Sequence, residues 1–210
     1  INGIGHDDFI TGMIKASGNS RIVVIRPNDG TPLLKAAHGD GVNSHTFLSF
    51  TNAILQTYAI ERALAALRPD LAARFDANAT AYAAHLRRIR ADAAQRLAHA
   101  KIKRVVTVHD GYGYLCQELG IEIAGVVEPA HGLTPSAVEL GDMVDLIKRE
   151  KIRVVLSEET FPEKLLAVLK GSTKVDVFII THIAAGAYAA DEFENAMSKN
   201  VDTLVKALAN

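Results

Sequence analysis

Apolar residues recur every three or four positions through the middle of the chain, at Leu71, Phe75, Tyr82, Leu86, Ile89 and Leu97, with Ala79 and Ala93 between them. That is the period of one helix face. Residues 70–100 contain neither Gly nor Pro, so the pattern predicts one unbroken helix, roughly 45 Å long at about 1.5 Å per residue. A typical globular helix has about 11 to 12 residues. The excess length predicts a connector spanning two lobes; the plainer alternative is a long helix on the surface of one domain.

After residue 100 the pattern changes to short β-branched runs at 104–108, 121–127, 153–156 and 175–180. These alternate with helical patterns near 112–119, 136–150, 162–169 and 191–208, which predicts a mostly parallel sheet flanked by helices. Ser136 followed by Glu139 is a capping-box start for the second of these helices. Upstream of the long helix, Asp7 and Asp8 are placed to cap a short helix ending at Ala16, and RIVVIR at 21–26 reads as a buried strand. Residues 27–44 are rich in Gly, Asp, Asn and Pro and read as a long loop, a length usually associated with function. A helix starting at Thr51 or Asn52 runs to Leu67, and Arg68-Pro69-Asp70 turns the corner into the long helix. The opening Ile1-Asn2-Gly3-Ile4-Gly5 reads as a strand end entering a glycine turn, an expectation that the chain is shortened at its N-terminus.

Composition changes this picture little. The 210 residues are 49% hydrophobic and 22% charged, values of a folded globular chain. The formal net charge is −1, and the densest basic run, Arg87, Arg88 and Arg90, falls on the long helix. A nucleic-acid footprint is therefore not expected. The single cysteine, Cys116, excludes an internal disulfide and a Cys-rich zinc knuckle and reads as a small core residue. The most apolar stretch, 175–190, is interrupted by Asp176, Thr181 and His182 and is too short to span a bilayer.

In open α/β sheets, ligands bind beyond the carboxyl ends of the strands. Two histidines fall there, His109 after RVVTV and His182 after VDVFII, and a third, His45, lies where the long loop meets the next helix. One such histidine alone is more often a hydrogen-bonded loop or core residue than a ligand. Three imidazoles gathered at a cleft would suit zinc better than manganese or calcium, which favour carboxylate oxygens. Asp110 reads as a helix cap, and His38 is either part of a metal-collecting loop or a solvated loop residue. His6, His85, His99 and His131 are given no role. A nucleophile elbow and a phosphate-binding loop are both lacking.

Several segments together resemble the zinc- and manganese-binding solute receptors of bacterial ABC importers. ING-IGHDDFITGMIKASGN is similar to that family's strand-end NGLG segment and following helix. HTFLSFTNAILQTYAIERALAALRPDLAARFDANATAYAAHL is similar to its second-ligand histidine, corner and backbone helix. VVTVHDGYGYLCQELGIEIAGV matches the third-ligand segment, VVLSEETFPEKLLAVL the VFxE segment, and MSKNVDTLVKAL the terminal helix. The resemblance implies an α/β fold of two lobes with mostly parallel sheets: residues 1–68 the remainder of an N-terminal lobe, 69–100 the connecting helix, 101–210 a C-terminal lobe. It also implies that His45 and His109 are metal ligands, and His at the third position is similar to the zinc-preferring branch. His182 stands where the family usually has Asp, and the family's first histidine belongs to a segment upstream of Ile1. In place of the usual Trp, Asp and Pro, His45 is followed by Phe47, Ser49 and Phe50.

The expected function is thus a receptor without catalytic activity. It would be a periplasmic or lipid-anchored monomer that takes zinc, in preference to manganese, in an interlobe cleft and passes it to an ABC permease. The alternatives are a zinc-dependent hydrolase using Glu158 or Glu159 as base, and a receptor for a siderophore or vitamin built on the same helix.

Overall fold

The computed structural model describes residues 1–128, 132–184 and 186–209. A short helix α1 (Phe9–Ala16) is followed by an irregular stretch and by α2 (Phe50–Leu67). Helix α2 starts one or two residues before the expected Thr51 or Asn52, and Ser49 caps it, its hydroxyl accepting from Asn52 N at 3.1 Å. The Arg68-Pro69-Asp70 corner forms a single tight turn with Arg68 and Asp70 bonded side chain to side chain, and α3 (Ala72–Leu97) runs for 26 residues. Its inner face is Ala79, Ala83, Leu86, Ala93 and Leu97, so alanines at the contact let neighbouring helices approach closely.

The second half alternates regularly: β1 (Arg104–Thr107), α4 (Gly113–Glu118), β2 (Glu122–Val126), α5 (Ala137–Arg149), β3 (Val154–Ser157), α6 (Glu163–Ser172), β4 (Asp176–Ile179) and α7 (Glu192–Leu208). The strands form one parallel sheet in the order β2-β1-β3-β4. Period-2 alternation sends Val105, Val154 and Leu156 into a core shared with α3, α4 and α7, and Val106 and Val155 into a second core under α5 and α6. Both sheet faces are therefore covered, as a parallel sheet requires. The expected capping box on α5 is present, with Ser136 and Glu139 exchanging both bonds. Cys116 is buried in the first core, where burial pushes its thiol up to about 12.

Two expectations fail upstream. Residues 21–26 are not a strand, and Ile22, Val23 and Val24 are exposed. A β-branched run becomes a strand only where a neighbour completes its hydrogen bonds, and none pairs with it among the described residues. Asp7 and Asp8 do not cap α1 either. The Asp7 carboxylate instead accepts from Asn2 N and Gly3 N, both at 2.6 Å, closing the turn before the helix.

Candidate metal centre

Each strand of the sheet delivers one polar residue just past its carboxyl end: Glu128 after β2, His109 after β1, Glu158 after β3 and His182 after β4. In sheet order, carboxylates and imidazoles alternate. His45 joins them from the start of a tight turn over Thr46–Leu48 ahead of α2. The structure brings the three expected histidines together. Ring centroids lie 4.8 Å apart for His45 and His109, 5.0 Å for His109 and His182, and 6.1 Å for His45 and His182. His45 and His109 are buried, and donor atoms of His109, Glu158 and His182 all fall within 4.8 Å of one another.

Each ring meets an oxygen at Nδ1. Asn43 Oδ1 is 3.0 Å from His45, Glu128 Oε2 is 3.0 Å from His109, and Glu158 Oε2 is 2.9 Å from His182. An oxygen acceptor at Nδ1 favours the tautomer with its hydrogen there and leaves the Nε2 lone pair for other use. The Nε2 atoms of His45 and His109 lie 3.1 Å apart, a hydrogen-bond contact in which one ring donates and the other accepts. Two nitrogens bound to one tetrahedral zinc at about 2.0–2.1 Å would lie about 3.3 Å apart, so this spacing fits a shared ion.

The carboxylates are held in turn. Glu158 Oε1 accepts from the Tyr112 hydroxyl at 2.6 Å, and burial with the nearby Glu158 charge pushes that hydroxyl far above its ordinary range, so it remains a donor. For Glu158, burial pushes the carboxyl up, but the bonds from His182 and Tyr112 outweigh it and the net shift is downward. His182 moves up because it is bonded to Glu158, against the opposing effect of burial. Burial and the Glu158 charge raise Glu128.

Backbone geometry fixes the segments. Gly111 has no room for a side chain: a Cβ there would sit 2.8 Å from His109 Cδ2 and 3.3 Å from His45 Cδ2. The His182 turn is pinned by Asn200, which accepts from Thr181 N at 2.9 Å and donates to Thr181 O at 2.7 Å. The following Ile183 adopts φ 61°, a left-handed conformation costly for a β-branched residue.

Other sequence expectations need adjustment. Asp110 makes no helix-capping bond; its carboxylate accepts from Ala37 N at 2.9 Å and ties the long loop to the His109 segment. His38 lines a shallow cavity with Glu139, Asp142 and Met143 of α5. His6, assigned nothing from sequence, has its ring 5.5 Å from that of His45 and its Nδ1 3.3 Å from Ser44 Oγ. Glu128 was also missed, although the strand-end rule that singled out His109 and His182 applies equally to it. Glu158, which the sequence offers as a hydrolytic base or a helix-start carboxylate, has both oxygens engaged by Tyr112 and His182. His131 lies outside the described residues.

Comparison with known proteins gives the same direction. A putative metal-binding protein of Treponema pallidum is 26% identical over 182 residues, covering 80% of this chain and 58% of that protein. The zinc-binding lipoprotein AdcA of Streptococcus pneumoniae is 26% identical over 171 residues, 80% of this chain and 34% of AdcA. This chain thus spans little more than half of one curated relative and about a third of the other. The solute-binding protein FpvC of Pseudomonas aeruginosa, solved with Mn2+, superposes with a TM-score of 0.92 at 41% identity, covering 99% of this chain and 78% of FpvC. Residues 1–207 match the family model of ZnuA, the periplasmic component A of the zinc-uptake complex. With almost the whole chain matched and its strand ends converging on a cluster of imidazoles, the protein belongs to the ZnuA family.

Proposed function

We propose that this chain captures a zinc ion between His45, His109 and His182 and delivers it to the membrane permease of an ABC importer. The observation that carries this reading is the convergence of three rings whose Nδ1 atoms each meet an oxygen, the arrangement that leaves Nε2 donors for a metal. Relatives support a divalent metal as cargo: AdcA is a zinc-binding lipoprotein, whereas FpvC has been solved with Mn2+ and with Ni2+. An all-imidazole donor set places zinc above manganese. The two carboxylates behind the rings supply negative charge close to the ion without occupying its coordination positions.

In this reading the protein works as a monomer, in the periplasm or tethered outside the cytoplasmic membrane, and turns over no substrate. Residues 1–68 form part of an N-terminal lobe, 69–100 the connecting helix and 101–210 the C-terminal lobe. The unbroken α3 keeps the lobes from swinging widely, so capture proceeds by ordering of the 27–44 loop and the His45 turn. Calorimetric titration with Zn2+ and Mn2+ tests the assignment. One equivalent of zinc binds more tightly than manganese, and His109→Ala weakens zinc by at least about 100-fold, beyond the range for losing an outer partner. A chain that binds zinc no better than manganese, or is indifferent to His109→Ala, refutes it.

A further inference from the structure

Asn43 is 3% exposed, and each of its polar groups is used. Its amide Oδ1 accepts from His45 N at 2.9 Å and lies 3.0 Å from His45 Nδ1. Its Nδ2 donates to Asp110 O at 2.7 Å. Its backbone N–H donates to Leu34 O at 2.8 Å, and its carbonyl accepts from the Tyr114 hydroxyl at 2.8 Å.

Two of these partners leave the amide no choice of orientation. A backbone N–H can only donate and a backbone carbonyl can only accept, so the oxygen must face His45 N and the nitrogen must face Asp110 O. The oxygen side is therefore the one presented to His45 Nδ1, and a neutral His45 carries its hydrogen on that nitrogen. Its lone pair is left on Nε2, which accepts across the 3.1 Å contact with His109 Nε2. The other end of the amide grips the residue that directly follows His109. Gly113 packs against this tie, since a Cβ there would come 3.3 Å from Asn43 Nδ2.

We propose that Asn43 is the positioning residue of the centre: it sets the Nε2 lone-pair tautomer of His45 and clamps the His45 turn to the His109 segment, so that two donors from distant parts of the chain face one point. The inference rests on His45 and His109 holding the ion. Asn43 differs from Glu128 and Glu158, which each touch one ring and carry charge; it is neutral and reaches both segments.

The test combines two readouts at a fixed pH of 8. Long-range ¹H–¹⁵N NMR of the zinc-free protein reports the tautomer of each histidine, and chelator competition reports zinc affinity. Wild type shows His45 as the Nδ1–H form. Asn43→Ala lets His45 populate the Nε2–H form and weakens zinc binding by about 10- to 100-fold, the range for losing an outer partner of a ligand. Asn43→Asp retains an acceptor at Nδ1 but loses the donor to Asp110 O; it keeps the tautomer and recovers part of the lost affinity. Wild-type His45 in the Nε2–H form overturns the proposal with no variant needed. So does a folded Asn43→Ala protein with unchanged tautomer and zinc affinity within twofold of wild type, or, should the Ala variant not fold, an Asn43→Asp protein that loses the Nδ1–H form. The tautomer is read without metal, so a wild type that binds no zinc refutes the metal-site assignment and leaves the tautomer result to decide the role of Asn43.

Discussion

The Glu158–His182 pair decides how the centre responds to acid. Its two shifts point opposite ways, His182 up and Glu158 down from ordinary values of 6.5 and 4.5. A raised histidine contributes stability in full below 6.5 and loses it as pH climbs through its folded value. A lowered carboxyl contributes in full above 4.5 and loses it as pH falls through its folded value. The pair therefore stabilises the zinc-free protein fully between pH 4.5 and 6.5. With His182 as a ligand, as proposed, zinc needs the opposite protonation state, because it must displace the His182 proton. Zinc affinity is expected to begin falling above pH 6.5 on acidification, and Glu158→Gln moves that onset downward. Chelator competition from pH 8 to 5 checks both; an onset unchanged in the variant contradicts the role given to the pair. At this scale the sequence was informative where a residue type was distinctive. His109 and His182 stand out after β-branched runs because imidazole is a distinctive ligand type, whereas Glu128, equally placed at a strand end in VVEP, is a common residue type. Asn43 could not be recognised, because the clamp joins its contact with nearby His45 to bonds with residues 67 and more positions away.

Among the elements, α2 is held at its N-terminus by a side chain from α4. Glu118 accepts from Phe50 N at 2.7 Å and Thr51 N at 3.0 Å, bonds the Thr51 hydroxyl, and lies 3.7 Å from Arg90 on α3. A carboxylate at a helix N-terminus satisfies orphan N–H groups and suits the helix dipole. With Glu118 only 12% exposed, Glu118→Ala should cost about 1.5–3 kcal/mol, the usual range for bonds to a charged group, measurable by urea unfolding. The strands and helices after residue 100 were legible because local propensity, period and capping agree there. Residues 21–26 were not, because β-propensity reports side-chain preference and does not supply a neighbouring strand.

The whole molecule places a rigid rod beside a sheet whose four carboxyl ends meet one loop-borne histidine. At about 1.5 Å per residue, α3 is about 39 Å long, and its alanine face packs closely against α2 and α7. A chain of this size has a radius of gyration of about 17 Å. Zinc is expected to change that value by less than about 1 Å in solution scattering if, as proposed, capture orders loops without rotating lobes. A larger contraction would point to hinge closure. The topology explains why the site was partly visible from sequence: a parallel sheet gathers its strand ends in one place. It does not say which way a loop such as 27–44 folds over them.

The most direct test is zinc K-edge absorption spectroscopy on the protein loaded with one equivalent of metal, alongside His109→Ala. Nitrogen scatterers at about 2.0–2.1 Å with the signature of at least three imidazoles, reduced by one ring in the variant, are the predicted result. A first shell dominated by oxygen, or a spectrum identical in the two proteins, would show that the clustered histidines do not hold the ion.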